Sequence, residues 1–275
     1  MKKIFGIIAI VITLTLPVIC GAETKTTVNV KISPAETLKE TASEINNILH
    51  AMHESLEIAV NELQAVGITG KAATDSLQKL LEANEFAFDC ATIDTKGVIA
   101  NIAPKEETKL IGIDISHQEH ILKVLETKKP AVNAKINTVE GFSGFDLVYP
   151  LFNDDGTFIG AASILTKPEF FGQIIDQRIA LHGFEIFIME KNGRIIYDEN
   201  KEEIGLNLFK DELYAPFKSL LAAGHDMIRS KSGEGSYVFL DKKLKSSVSK
   251  TILWTTIELH DTKLRLALVY VQNGQ

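Results

Sequence analysis

The sequence predicts an α+β fold in which one long N-terminal helix precedes two similar units, each with an antiparallel sheet. Apolar residues first recur at helical spacing, between positions 38 and 66, and then at the spacing of short strands joined by polar turns. A strand, a turn with an acid three residues before a glycine, and a second strand occur in that order twice. The two turns, at 94–97 and 190–193, are 96 residues apart. This repeat indicates two copies of one strand-rich unit.

The first 22 residues have the order of a secretory signal peptide. Lys2 and Lys3 form a short basic region, residues 4–19 carry no charge, and small residues suited to a signal peptidase follow. The apolar run contains 16 residues, fewer than the roughly 20 that a membrane-spanning helix needs. We therefore expect signal peptide 1–22 to be cleaved after Ala22 and the protein to be exported across the cytoplasmic membrane. An uncleaved N-terminal helix that anchors the protein is the alternative.

Charge and cysteine content exclude several classes of protein. The formal net charge is −7, and loss of the signal peptide removes two lysines and no acid, which gives −9. An acidic protein of this kind repels nucleic acid and anionic membrane surfaces. Cys90 is the single cysteine of the mature chain, whereas exported disulfide scaffolds use cysteines in even sets. We expect Cys90 to be a small hydrophobic residue of the core.

A polar lead-in at residues 23–32 precedes the long helix, which we place at residues 33–70 and call the spine helix. Ser33 can cap its first turn, Pro34 suits the first helical position, and Glu36 completes a capping box. The apolar positions alternate steps of four and three residues up to Gly67, and they are Leu38, Ala42, Ile45, Leu49, Met52, Leu56, Ala59, Leu63 and Val66. This seam either pairs with a second copy in a coiled coil or lies along two stacked units.

The first unit is expected at residues 71–180. A helix opens it, Ser116 would cap a second helix, and a third helix closes it. The predicted helices are 71–84, 117–126 and 169–181, and the predicted strands are 86–93, 98–102, 131–137, 145–152 and 158–165.

The second unit is expected at residues 181–275 and is smaller. Its predicted strands are 184–189, 194–197, 235–240, 250–259 and 264–271, with a helix at 211–223. No second apolar run of membrane length follows the signal peptide, and the sequence stops a few residues after the last strand. We therefore expect no transmembrane output of its own.

The order of these segments resembles the double Cache sensor module, a PAS-like extracytoplasmic domain of chemoreceptors and sensor kinases. The resemblance covers residues 35–271. It is carried by the capped long helix and by the segments FDCATIDTKGVIAN, GIDISHQEHILKVLETKKPAVNAKI, YPLFNDDGTFIGAASIL and FEIFIMEKNGRIIYDENKEEIGLNL. It implies a tandem Cache architecture in which the first, membrane-distal unit binds a small ligand between its sheet and the helix and loops that cover it.

The residues with which members of this family bind amino acids are not matched. Such members often carry Arg and Trp in the helix after a Gly-x-Asp-x-Ser turn, where this sequence has Gln118 and His120. They also carry an Asp on the last strand, where this sequence has Ser163, Ile164 and Leu165. A free α-amine would then lack a carboxylate partner, so the sequence does not predict an amino-acid sensor.

Three candidate ligand contacts follow the Gly-x-Asp-x-Ser turn. His117 and His120 are three residues apart on one predicted helix, close enough to share a face. With Glu119 they could coordinate a metal ion, but a zinc site needs three or four ligands and no further one stands out. We therefore predict neither a metal nor a cofactor, and we expect both histidines, with Gln118, to line the cleft or its rim.

Three further candidates lie on predicted strands. Asn133 and Lys135 share the polar face of strand 131–137, which faces either solvent or the cleft. If that face is in the cleft, Lys135 and the histidines favour an anionic ligand such as a small carboxylate. Tyr149 belongs to an apolar alternation typical of core packing and is also a candidate pocket hydroxyl.

The sequence predicts a sensor rather than an enzyme. It contains no Gly-x-Ser-x-Gly elbow, no His-Glu-x-x-His pair and no phosphate-binding glycine loop. The leading hypothesis is a periplasmic or otherwise extracytoplasmic protein that binds a small organic ligand in its first unit and signals, as in chemotaxis, through a separate membrane receptor or sensor kinase. The alternative is an interaction module that binds no ligand and acts through the long helix, as a homodimer or on a membrane partner.

Overall fold

Two five-stranded antiparallel sheets pack against one long helix in the computed structural model of the chain. The structure describes residues 33–139, 141–167, 169–179, 184–241 and 246–271. The predicted signal peptide and the lead-in at 23–32 lie outside the described residues.

The order of elements follows the predicted repeat. The helices are α1 (Pro34–Val66), α2 (Gly70–Glu82), α3 (Glu119–Thr127), α4 (Glu169–Ile179) and α5 (Lys218–Arg229). The strands are β1 (Ala87–Ile93), β2 (Ile99–Ala103), β3 (Ala131–Asn137), β4 (Ser143–Phe152), β5 (Phe158–Thr166), β6 (Glu185–Glu190), β7 (Ile195–Asp198), β8 (Gly233–Asp241), β9 (Ser246–Leu259) and β10 (Thr262–Tyr270). The first sheet has the order β2-β1-β5-β4-β3, and the second repeats it as β7-β6-β10-β9-β8. The predicted α+β fold with two PAS-like units in tandem is confirmed.

The spine helix, α1, begins where its sequence predicts and ends at Val66, four residues before the predicted end at 70. The side chain of Ser33 accepts a hydrogen bond from the N–H of Glu36 at 3.2 Å, and Pro34 is the first helical residue. Gly67 follows the last turn with φ +82, a left-handed conformation that glycine adopts without steric cost. Local capping chemistry therefore fixes both ends of the helix.

The apolar seam of α1 is buried within this one chain. Leu49 and Leu56 are 2% and 0% exposed, and they share a core with Ile164 of the first sheet and Leu266 of the second. Val66, the last residue of the repeat, is 44% exposed. The seam thus serves as a spine for both sheets, and a coiled coil through it would require the helix to leave them.

Helix α5 starts seven residues later than predicted, at Lys218 instead of 211. Pro216 explains the difference, because a proline disfavours helical geometry in the residue before it and has no N–H to donate. The segment ahead of it folds as turns instead. These turns bury Tyr214, whose hydroxyl donates to Glu203 Oε2 at 2.9 Å.

The end of β7 holds an acid whose ionisation opposes folding. Burial, together with the charge of Glu203, raises the pKa of Asp198 from 3.8 to about 7, although the N–H of Asn200 donates to its carboxylate at 2.7 Å. Because the folded pKa lies above the unfolded one, the folded state binds the proton more tightly. Stability is therefore greatest below pH 4 as far as this group is concerned, and it falls as the pH rises from about 4 to about 7.

We predict that Asp198→Asn raises the free energy of unfolding at pH 8 and flattens its decline between pH 4 and 8. The expected gain is about 1.4 kcal/mol for each unit by which folding raises the pKa. Urea unfolding followed by circular dichroism at several pH values measures it. Asp226→Asn, at an exposed position of α5, is the control. An unchanged pH profile in Asp198→Asn would contradict the assignment.

We predict that Leu56→Ala lowers the free energy of unfolding by about 2–5 kcal/mol, because it leaves a cavity between α1 and the sheets. Ile58→Ala is the matched control, since Ile58 lies on the same helix and is 63% exposed. It should cost less than about 0.5 kcal/mol. Both variants should keep the molecular mass of the parent in solution. Dissociation of a dimer by Leu56→Ala would show that the seam serves assembly instead.

Candidate functional site

The turn that leads into α3 depends on Asp114 and on a close approach of two chain segments. Asp114 Oδ1 accepts a hydrogen bond from the N–H of Ser116 at 2.8 Å. A Cβ at Gly97, where φ is +86, would lie 2.5 Å from the Cβ of Ser116, so only glycine fits there. Ser116 is thus used in this turn and not as a helix cap. As a result α3 starts at Glu119, and the prediction of a helix from His117 is wrong.

A row of side chains crosses the first sheet on the face that α3 covers. Asp89 of β1 is paired with Leu165 of β5, and Leu165 is paired with Asp146 of β4. Asp146 is in turn paired with Asn133 of β3. Residues paired across antiparallel strands point to the same face, roughly 5 Å apart. Asp89 and Asp146, which are 2% and 5% exposed, therefore lie on one buried face with Asn133 beside them.

The next row along the strands is small and mostly apolar. It consists of Ala91, Ser163, Val148 and Ala131. Ile121 and Val124 of α3 are buried in the same cluster as the apolar members of this row. The side of α3 that faces the sheet is therefore apolar at one end and polar at the other.

The polar residue on this side of α3 is His120, which forms a buried pair with Asp146. His120 Nε2 lies 2.8 Å from Asp146 Oδ2, and the residues are 2% and 5% exposed. His120 Nδ1 and Asp146 Oδ1 are buried and have no hydrogen-bond partner within the described parts of the chain. A buried polar atom without a partner costs about 1–3 kcal/mol, so a hydrogen-bonding group placed beside these two atoms would be stabilising.

Charge at this face affects the neighbouring thiol. Cys90 is free and fully buried, and its side chain belongs to the core that contains α1. Burial, followed by the charges of Asp89 and Asp146, raises the pKa of the thiol. The thiol therefore stays protonated, and Cys90 is the small hydrophobic core residue that the sequence predicts.

The predicted residues near α3 divide between the buried face and the surface. His120 lies on that face, paired with Asp146, and Asn133 is half-buried opposite Asp146. Gln118 is half-buried just before α3, and His117 is exposed. His117 and His120 therefore do not share a helical face.

The other two predicted residues do not join this group. Lys135 lies in β3, and its side chain is outside the described parts of the structure. Tyr149 lies in β4 but faces α1, on the opposite side of the sheet from Asp146. Its hydroxyl contacts His53 of α1 and His260 of the β9–β10 turn. The core alternative for Tyr149 is therefore the one that the packing supports.

Sequence reasoning missed Asp89 and Asp146. The family resemblance predicts an aspartate on the last strand of the unit, whereas Asp146 stands on the adjacent strand, directly across from Leu165. The available signal was a single acid within each of two strongly apolar strands. The structure thus provides carboxylates on this face, which removes the argument that an amino group would lack a partner here.

Histidine, cysteine and acidic residues alone build no metal site in the described part of the chain. No group of three or more of them is close enough to hold an ion within residues 33–139, 141–167, 169–179, 184–241 and 246–271. In those same ranges no helix is long and apolar enough to cross a membrane.

The fold, with two PAS-like units packed on one long helix, is shared with known sensor domains. Residues 47–168 match the family model described as HK/GC/Chemotaxis protein-like, sensor domain. No curated protein sequence matches the chain significantly. Residues 47–168 therefore resemble this sensor family, and the structural likenesses that follow show the fold of Cache-type sensor domains.

Solved structures share the architecture. An extracellular ligand-binding receptor from Desulfohalobium retbaense is 39% identical with a TM-score of 0.75, over 86% of this chain and 40% of that one. The chain thus spans well under half of that receptor. The ligand-binding domain of the Pseudomonas aeruginosa amino acid chemoreceptor PctC, in complex with GABA, has a TM-score of 0.62 at 16% identity, over 86% of this chain and 96% of that one. That of the Pseudomonas fluorescens chemoreceptor CtaA, in complex with L-leucine, has a TM-score of 0.64 at 13% identity, over 87% and 93%.

We predict that His120→Ala lowers the free energy of unfolding by about 3–5 kcal/mol, because it leaves Asp146 buried without its partner. His117→Ala, in the exposed turn before α3, should change it by less than about 0.5 kcal/mol. Urea unfolding of the two variants checks the difference. Equal and small effects would mean that the carboxylate of Asp146 is reached by water.

Proposed function

We propose that the chain is an extracytoplasmic sensor domain that binds a small organic molecule carrying an amino group. The molecule lies in the first unit, between the first sheet and α3. The observation that carries the proposal is the buried pair of His120 and Asp146, each with one polar atom that has no partner among the described residues.

The charges on the covered face favour an amino group. Asp89 and Asp146 are both buried there, and His120 is paired with Asp146. A protonated amine offers three N–H donors, and one of them would satisfy Asp146 Oδ1. Burying a carboxylate is costly unless an opposite charge and hydrogen bonds accompany it, so an ammonium group compensates this site better than an anion does.

The remainder of the ligand would lie on the apolar row. Ala91, Ala131 and Val148 give this row short side chains, and Ile121 of α3 packs in the same apolar cluster. A short hydrocarbon part therefore suits this region. The carboxylate ligand expected from the sequence depends on Lys135, whose side chain lies outside the described parts of the structure.

The likeness to known proteins supports a role in sensing. The matching proteins are sensor and ligand-binding domains rather than enzymes, and two of them were solved with GABA and L-leucine bound. We propose that ligand binding is passed to a membrane receptor or sensor kinase. The alternative of an interaction module that acts through the seam of the spine helix is disfavoured, because that seam is buried in the chain itself.

The proposal is tested by thermal unfolding with ligands of one carbon skeleton. Butylamine, 4-aminobutyrate and butyrate show whether binding requires the amino group, the carboxylate or both. A wider panel of amino acids and diamines varies the size of the ligand. We expect amino-bearing compounds to raise the melting temperature, since a ligand at 100 times its Kd adds about 2.7 kcal/mol of stability. Butyrate should give no shift.

The variant Asp146→Asn should abolish the shift, because the amide cannot pair with an ammonium group. Asp154→Asn, in the exposed β4–β5 turn, is the control and should keep it. A panel in which only carboxylates stabilise the protein, or a shift that survives Asp146→Asn, would overturn the proposed ligand class. Absence of any shift across the panel would overturn the proposed site.

A further inference from the structure

The hairpin of β9 and β10 extends beyond its neighbours in the second sheet and reaches the first unit. The pairing of β9 with β8 ends at Trp254, and the pairing of β10 with β6 ends at Leu264. The hairpin continues past both positions to a two-residue turn, which consists of His260 and Asp261. The tip of a hairpin from the second unit therefore lies where it can contact the first.

This tip is attached to the first sheet on both sides of Asp261. His260 Nε2 is in hydrogen-bond contact with the hydroxyl of Tyr149 in β4. The hydroxyl of Thr262 donates to the carbonyl of Val132 in β3 at 3.4 Å. These two contacts fix the position of Asp261 relative to β3 and β4, the strands that α3 also contacts.

Asp261 itself contacts α3. Its Oδ2 lies 3.7 Å from Nζ of Lys123, and the two side chains are 85% and 45% exposed. Lys123 is on the exposed side of α3, whereas Ile121 and Val124 are buried in the apolar cluster between the helix and the sheet. An ion pair therefore joins the tip of the second unit to the helix that lies over the proposed ligand site.

A ligand reaches the proposed site only if α3 moves. His120 and Asp146 are 2% and 5% exposed, so the atoms that would bind an amine are closed off from solvent. Helix α3 contains nine residues, and a helix this short has little stability of its own in water. Its position over the sheet therefore depends on its contacts, and the pair of Lys123 and Asp261 is one of them.

We propose that the tip of the β9–β10 hairpin, residues His260 to Thr262, is a latch that holds α3 closed over the ligand site through the ion pair of Asp261 with Lys123. Opening the site breaks this pair, so the entry of a ligand into the first unit is coupled to the second unit. This role of the latch rests on the proposed function, because it takes the face under α3 as the place where the ligand binds.

The exposed ion pair has the strength that a reversible latch requires. Exposed ion pairs change an equilibrium by about 1.4- to 5-fold, since water screens much of the attraction. A contact of this size favours the closed position of α3 and still lets the helix open. Coupling between two sites is reciprocal, so the factor by which the tip favours closing of α3 is also the factor by which closing of α3 favours this position of the tip.

The test is amide hydrogen exchange of the full chain without ligand, followed by NMR, because exchange reports local opening of each element. Asp261→Lys places a second positive charge beside Lys123. We expect the amides of Ile121 to Leu125 in α3 to exchange at least twofold faster than in the parent, because repulsion then replaces attraction in the closed position. Amides within the second sheet, such as that of Ile252, should exchange at the parental rate.

Two controls make the result specific to the latch. Asp75→Lys removes an exposed ion pair of α2, in which Lys71 Nζ lies 2.7 Å from Asp75 Oδ2, and it should leave exchange in α3 unchanged. In a Lys123→Gln background, Asp261→Lys should no longer accelerate exchange in α3, because such a cycle of variants isolates the interaction between the two residues.

Unchanged exchange of α3 in Asp261→Lys would overturn the latch. The same acceleration in the Lys123→Gln background would also overturn it, as would faster exchange throughout the chain, which would indicate a general loss of stability. The measurement needs no ligand, so a failure of the amine panel would leave its result intact. The latch and the proposed ligand class can therefore fail separately.

Discussion

The structure depends on the burial of one helical seam between two sheets. Leu49, Leu56 and Leu63 are at most 2% exposed, and each buried leucine contributes about 1.5–3 kcal/mol by leaving water. The inner face of both sheets is covered by α1, joined by α2 in the first unit, and each outer face is covered by one further helix. That helix is α3 in the first unit and α5 in the second. The site follows from this arrangement, because it lies beneath such an outer helix.

The two units use the same strand order but fill their outer faces differently. Under α5 the space is taken by large side chains, including Tyr214, Met227 and Trp254. Arg265 also lies there, and its Nε donates to the carbonyl of Met227 at 2.6 Å. Under α3 the corresponding rows are short side chains and buried acids. The two sheets have the same topology, but large side chains fill the outer face of the second sheet, whereas short ones line that of the first. This difference is why the proposed ligand is placed in the first unit.

Local chemistry made much of the fold predictable, and non-local pairing made the site hard to predict. The capped start of α1 and the strand 131–137 depend on neighbouring residues, and both lie where the sequence places them. The start of α5 differs from the prediction because Pro216 disfavours helical geometry just before it. The row that joins Asp89 to Asp146 depends on the register of β1, β5 and β4, whose residues are far apart in the chain. Periodicity shows that successive residues of a strand lie on alternate faces of the sheet, but it does not show which residues of two distant strands stand opposite each other.

Strand β4 connects the candidate ligand site with the region where the spine helix meets both units. Asp146 and Tyr149 are three residues apart on this strand, so they point to opposite faces of the sheet. One meets α3 and His120, and the other meets α1 and the turn of the second unit. The strand is hydrogen-bonded on both sides, to β3 and β5, so it moves as part of a sheet and not as a free segment. The same strand therefore reaches from the proposed ligand site to the place where the two units and the spine helix meet.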